Sequence, residues 1–394
     1  MQTAQRNSRL AVAITGLGSA SFILPIWVLF LNRQIGLSIG LAIFLGISRW
    51  ASSAFFELPT GSWADRFGRV KIYRFGQFFF ALTYLPFLLT KNFPILLATQ
   101  ILGGFFAAMT TGTLQPLVHD SYKKAKANTK YFKHYLSNNS VSIYLFRFIA
   151  GVAGAWIYSK HAYTPYALEV IVLLIAFIMS LRLKEVRIEK STASNNMQHI
   201  SEALNYVKKH TYLRNFFIVV IIFTFFSEAV WTSLQPLFDF RGIDPKYFGV
   251  LFGAVAIFSA MGSYLSRRIP DSFDGLKVRV IMSVTVIIAI IFMQFSFIWA
   301  IVLAVVIMGV SFGFSSPNSN SVIQKHVESK YQSTVLSLKS LLDMMFYSTT
   351  SFLVGFWADL YGVGTLVKIL LVQAVVGTLF IIFVTKITLK EKHV

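Results

Sequence analysis

Apolar stretches long enough to cross a bilayer follow one another along nearly the whole chain, separated by short polar links. The pattern predicts twelve spans, at roughly 10–31, 37–60, 72–90, 94–117, 140–159, 163–183, 213–238, 246–267, 278–298, 299–323, 334–357 and 363–385. Each is close to the ~20 residues that a helix needs to cross a ~30 Å hydrocarbon core. Short links make consecutive spans antiparallel neighbours, and an even number of spans returns both chain ends to one side. The expected fold is an all-α integral membrane protein.

One link is long. Residues 184–212 are polar and basic, yet Met197, Ile200, Leu204 and Val207 recur at helical spacing, which predicts an amphipathic helix along the membrane face. This link divides the chain into an N-terminal six-helix bundle (1–183), a linker (184–212) and a C-terminal six-helix bundle (213–394). Sliding the second half onto the first sets Gly242 on Gly36, Asp271 on Asp65, Phe273 on Phe67 and Lys277 on Lys71, a faint internal repeat.

Composition narrows the class. The chain of 394 residues is 55% hydrophobic and 13% charged, against about 25% charged residues in soluble domains. It has no cysteine, so disulfides, Cys metal sites and thiol chemistry are excluded. The first apolar run is long enough to span, so no short cleavable signal segment is expected. A net charge of +20 would suit a nucleic-acid binder, but most Lys and Arg fall in alternate links. Only Arg33, Lys91, Lys160, Arg241, Lys246 and Lys368 lie on the other side. Short loops rich in Lys and Arg stay inside, so both termini are expected to be cytoplasmic. The basicity belongs to topology and to anionic lipid headgroups, and no nucleic-acid partner is expected.

The link between spans two and three reads Gly61-Ser-Trp-Ala-Asp65-Arg66-Phe-Gly68-Arg69-Val-Lys71. Gly61 and Gly68 permit the backbone angles of a reversal. This Gly-x-x-Ala-Asp-Arg-x-Gly-Arg string, preceded by Glu57-Leu-Pro-Thr, resembles the loop motif of the major facilitator superfamily. The resemblance implies a monomeric secondary transporter of twelve helices in two six-helix bundles, working by alternating access in a bacterial cytoplasmic membrane. It also implies a cytoplasmic gate built from Asp65, Arg66, Arg69, Asp120 and Glu57, with Asp120 pairing a loop arginine such as Arg69 and Asp65 near the start of span eleven. A carboxylate at a helix N-terminus gains about 0.3–1 kcal/mol from the dipole.

Charge inside the spans points the same way. Arg49 is in span two, Arg147 in five, Glu228 in seven, and Lys339 and Asp343 in eleven, while spans three, six, nine and twelve carry none away from their ends. The resemblance makes those four the peripheral helices and the others the cavity-lining ones. A central charge costs about 2.5–3.5 kcal/mol, so its placement carries information. Each charge sits on a polar stripe at i, i+3 or i+4: Glu228, Trp231 and Gln235; Lys339, Asp343 and Tyr347; Tyr144, Arg147 and Gly151. The Ser-Ser-Pro317-Asn318-Ser-Asn segment of span ten adds polar groups. Burial disfavours the charged form of a lone carboxylate, which makes Glu228, with Asp343, the proton-coupling candidate. Arg49, Arg147, Trp231, Gln235, Tyr347 and Asn318 are the solute-binding candidates. Plainer roles stay open: an intrahelical Lys339–Asp343 pair, structural partners for Arg49 and Arg147, and an interfacial Glu57.

The histidines lie in loops or tails, and no nucleotide loop, metal cluster or nucleophile–base set occurs in the spans. The chain is expected to be no enzyme and to use no cofactor or metal. It departs from the family pattern at Gln100, where proton-coupled members often carry Arg, and in span five, where Arg147 and Val152 replace the first Gly and the Pro of the antiporter motif. The expectation is proton-coupled export of a small amphipathic organic compound. Uptake or exchange of an organic anion held by Arg49 and Arg147 is the alternative. A lipid flippase or a non-transporting sensor is the reading from another class.

Overall fold

The computed structural model describes residues 1–186, 204–266, 268–270 and 273–391, and among these there is no strand. The helices are α1 (Gln2–Ser19), α2 (Trp27–Phe30), α3 (Ile39–Phe67), α4 (Arg69–Leu82), α5 (Pro86–Leu89), α6 (Phe93–Thr110), α7 (Leu114–Lys124), α8 (Thr129–Tyr158), α9 (Thr164–Ser180), α10 (Thr211–Phe240), α11 (Phe248–Ser266), α12 (Gly275–Met293), α13 (Ile298–His326) and α14 (Ser329–Glu391). Among the described residues nine helices are long and apolar enough to cross a membrane. The last of these bends at Gly362, whose φ of 76° and ψ of 159° turn the chain. That bend, the shorter apolar α9 and a broken first span make the set consistent with twelve crossings.

The first span is not one helix, as its apolar run suggests. α1 ends at Ser19, residues 20–26 are irregular, and helix resumes as α2 with a wider turn at Leu31–Ile35. Pro25 explains the break locally: it offers no N–H and biases the residue before it away from helical angles. Gly36 closes the segment with a φ of 88°, and Gly242 closes α10 with a φ of 69°. The two glycines matched by the internal repeat thus make the same left-handed turn, which costs glycine least.

The link left between the spans at 94–117 and 140–159 is largely helical. α7 runs to Lys124, and α8 starts at Thr129 behind Asn128, whose side chain accepts the Lys130 N–H. The cause is amphipathicity: Leu117, Val118 and Tyr122 are buried in an apolar cluster with Ala4, Ala11 and Tyr73. Of the linker helix, Met197 and Ile200 lie outside the described residues. Residues 204–209 are helical and Val207 is buried.

The chain divides into two compact units. One comprises Met1–Ser191 with Asp244–Val250, and the other Thr192–Ile243 with Leu251–Val394. Within the first, α3 and α6 pack closely through Gly104, where a Cβ would fall onto the Arg49 carbonyl. The Ser52 hydroxyl donates to the Ile101 carbonyl at 2.6 Å and the Thr60 hydroxyl to the Ala108 carbonyl at 3.1 Å. Small residues and interhelical hydroxyl bonds are how helices associate where lipid supplies no hydrophobic drive. Within the second, α11 and α13 do the same through Gly262, Gly309 and Gly313.

Candidate functional site

Each unit carries its own cluster of charge in the apolar region. In the second unit α10 supplies Glu228 and α14 supplies Lys339, Asp343 and Tyr347. Lys339 and Asp343 form an ion pair one turn apart on α14. Glu228 is partly buried and within electrostatic range of Asp343 and Tyr347. A hydroxyl chain continues from there: Tyr347 bonds Ser351, and Ser351 shares a 2.9 Å hydrogen bond with Thr232 of α10. Trp231, one turn from Glu228, packs edge-on against Phe252 and Phe312, with centroids 5.2 and 6.1 Å away. Gln235 is buried farther along the same helix. Five predicted residues are therefore shared between two helices. Asn318 stands apart, donating to the Gly275 carbonyl at 3.2 Å.

A cation missing from the expected set joins this cluster. Arg279 of α12 has no exposed surface. It donates to the hydroxyl and carbonyl of Ser315, each at 2.9 Å, and to the Ser319 hydroxyl, and it lies over the Phe223 ring at 4.9 Å. Asp343 is within its electrostatic range. The sequence places Arg279 at the cytoplasmic edge of span nine, where it reads as one more positive-inside charge. Its i+4 partner Ser283 and the serine-rich facing segment were the available signal. Together Glu228, Asp343, Lys339 and Arg279 balance as two acids and two bases.

In the first unit Arg49 donates to the Tyr84 hydroxyl and lies over the Phe80 and Tyr84 rings at 4.9 and 5.3 Å. Within its electrostatic range is Glu169 of α9, which is 4% exposed. Span six, expected to carry no charge away from its ends, thus carries a buried carboxylate. A charge deep in a span is costly unless paired, and Arg49 with the backbone of the broken first span meets that cost. Arg147 and its neighbour Tyr144 are exposed on α8, so the structure does not bring the two predicted arginines into one cluster.

The expected gate residues separate into a knot and a rim. Arg69, nearly buried, bonds Asp120 at 2.6 Å and Asp65 at 3.2 Å, and His119 Nδ1 lies 3.2 Å from Asp120. The backbone N–H groups of Arg69 and Val70 donate to Glu185 at 3.2 and 2.8 Å, and Arg74 caps the carbonyls of Ser180, Leu181 and Leu183. Glu57 and Arg66 are exposed, the latter over the Phe67 ring. A separate cavity of about 680 Å³ in the first unit is lined by Arg33, Trp156, Lys160, Asp244 and Lys246, and takes in none of the predicted residues. There the Lys246 N–H and ammonium hold the exposed Asp244 carboxyl below the usual carboxylate range. No group of three or more metal-ligating side chains occurs among the described residues.

Comparison with known proteins decides the family. Residues 10–342 match the model of the Major Facilitator Superfamily. The chain belongs to that family. Its described helices are long and apolar enough to make the chain a multi-pass membrane protein of that family. A relative in Bacillus subtilis (strain 168), the uncharacterized MFS-type transporter YxaM, is 25% identical over 260 residues, covering 63% of this chain and 62% of the relative. The fold is also that of the nucleoside transporter NupG, with a TM-score of 0.78, 13% identity and 98% of this chain covering 100% of that one. The POT family transporter PepTSo matches with a TM-score of 0.75, 10% identity and 98% of both chains covered.

Proposed function

We propose that the protein is a monomeric, proton-coupled secondary transporter that exports a small amphipathic organic compound across a bacterial cytoplasmic membrane by alternating access, with both termini cytoplasmic. The observation that carries this reading is the arrangement of Glu228 beside the Lys339–Asp343 pair. Asp343 pairs with Lys339 and also has Arg279 in electrostatic range, which leaves Glu228 as the carboxylate of the cluster to take up and release a proton. The adjacent aromatic Trp231 offers an amphipathic solute a face to stack on. The organic-anion reading is weaker for Arg49, whose charge is met by Glu169 and Tyr84. It rests on Arg147, an exposed cation on α8.

The test is a thermal-stabilisation screen of the purified protein with lipophilic cations in one arm and organic anions in the other. A ligand bound only by the folded state raises apparent stability by mass action. Stabilisation by cations that disappears in Glu228→Gln supports the proposal. Stabilisation by anions that disappears in Arg147→Ala replaces it with anion carriage. Silence in both arms, with headgroup-labelled lipid moving between leaflets of reconstituted vesicles, makes the protein a flippase. Ligand-driven proton movement that persists unchanged in both variants overturns the residue assignment.

A further inference from the structure

The break in the first span is closed by a side chain from another helix. Residues 20–26 leave the helical ladder, so their backbone N–H groups need other acceptors. Glu169 Oε2 accepts the Phe22 N–H at 2.9 Å, and the Ser21 hydroxyl and the Ile23 N–H bond the same carboxylate. α8 approaches the break from another side: a Cβ on Gly154 would fall onto the Phe22 carbonyl. The groups around Glu169 are few. α3 brings Arg49, the turn after α4 brings Tyr84, and α9 itself brings Tyr166 one turn earlier, with Tyr158 of α8 in reach of Tyr166. Tyr166 also packs against Phe30 of α2 and stacks on Phe87 of α5, which ties the α2 side of the break to α9.

We propose that Glu169 is a protonation site that latches the broken first span. As a carboxylate it holds residues 21–23 through charge-assisted bonds, which are roughly twice as strong as neutral ones. Proton uptake converts it into a weaker acceptor and leaves Arg49 without its counter-charge, so segment 20–26 loosens. The latch belongs to the first unit, works without the Glu228–Asp343 cluster, and holds whatever solute the transporter carries.

Hydrogen exchange of the full-length protein, followed by mass spectrometry at pH 8 and pH 5 and corrected for the intrinsic chemical rate, reads the latch directly. In the wild type, a peptide covering residues 20–26 loses protection roughly tenfold at the lower pH, the difference between charged and neutral bonds. Peptides from α6 keep theirs. In Glu169→Gln the segment exchanges fast at both pH values and the pH response is gone. Equal wild-type protection at the two pH values overturns the proposal, as does a pH response that survives in Glu169→Gln. If that variant cannot be purified, the wild-type profile alone decides, with a flat profile refuting the latch.

Discussion

The Ser263 hydroxyl of α11 donates to the Gly313 carbonyl of α13 at 2.7 Å, and that carbonyl is the one Pro317 leaves without its helical donor. In an α-helix the N–H of residue 317 would bond the carbonyl of residue 313, but proline has no N–H. The neighbouring helix therefore repairs the fault, at a place where Gly313 lets the two backbones meet.

The first prediction follows from this repair. Ser263→Ala should destabilise the protein by about 0.6–1.7 kcal/mol, the range for polar contacts between membrane helices. In a Pro317→Ala background the same change should cost less, because alanine, unlike proline, brings a backbone N–H to the Gly313 carbonyl. Unfolding of the four proteins of this double-mutant cycle checks it. Equal costs in both backgrounds would show that the hydroxyl does not serve the freed carbonyl.

The Arg69 knot gives an ordered pair of outcomes. Arg69→Ala strands Asp120, which is nearly buried, and should cost about 3–5 kcal/mol, as loss of one partner of a buried pair does. Asp120→Ala should cost less, since Arg69 keeps Asp65 at 3.2 Å. The double variant should lose less than the sum of the two. Chemical unfolding in detergent gives the ranking, and a larger loss for Asp120→Ala than for Arg69→Ala contradicts it.

Much of this architecture is legible in the sequence, and the misses share a cause. Hydropathy marks the spans because the bilayer imposes one length on them all, and the turn glycines Gly36 and Gly242 can be paired by the internal repeat. Glu228, Lys339 and Asp343 stand out as charges in apolar runs, and the structure groups them. Glu169 and Arg279 each lie close enough to a span end to read as an interfacial charge. Only the packing shows that both are buried, one by the broken backbone of the first span and one by the serines of α13. The break itself had a local signal in Pro25, which a window-averaged hydropathy hides. The helical stretch through 114–124 is hidden by Lys123 and Lys124, which are exposed in its last turn and lower its hydropathy.

Gly104 should be intolerant of a single added carbon. Its missing Cβ lies against the Arg49 carbonyl and the Ser52 side chain, and backbone on the facing helix cannot swing aside as a side-chain tip can. Gly104→Ala should cost about 1–3 kcal/mol through overpacking and should shift the Arg49–Tyr84 bond with α3. Gly151→Ala, with open space around its position, is the control expected to fold normally. Matching unfolding midpoints for Gly104→Ala and wild type would refute the close approach of α3 and α6.

Arg279 provides the sharpest test of shape against charge. Its guanidinium forks across the Ser315 hydroxyl and carbonyl and reaches Ser319, bracing the helix on either side of Pro317. Lysine keeps the positive charge beside Asp343 but offers a compact ammonium in place of the planar fork. If the residue serves only to balance charge, Arg279→Lys should unfold like wild type. If it serves as the brace described here, Arg279→Lys should lose about 1–3 kcal/mol by leaving buried acceptors poorly met. Arg279→Met, which removes both roles, should then fall further, because Asp343 also loses a compensating charge. Unfolding of the three proteins side by side separates the cases, and a lysine variant indistinguishable from wild type would assign Arg279 to electrostatics alone.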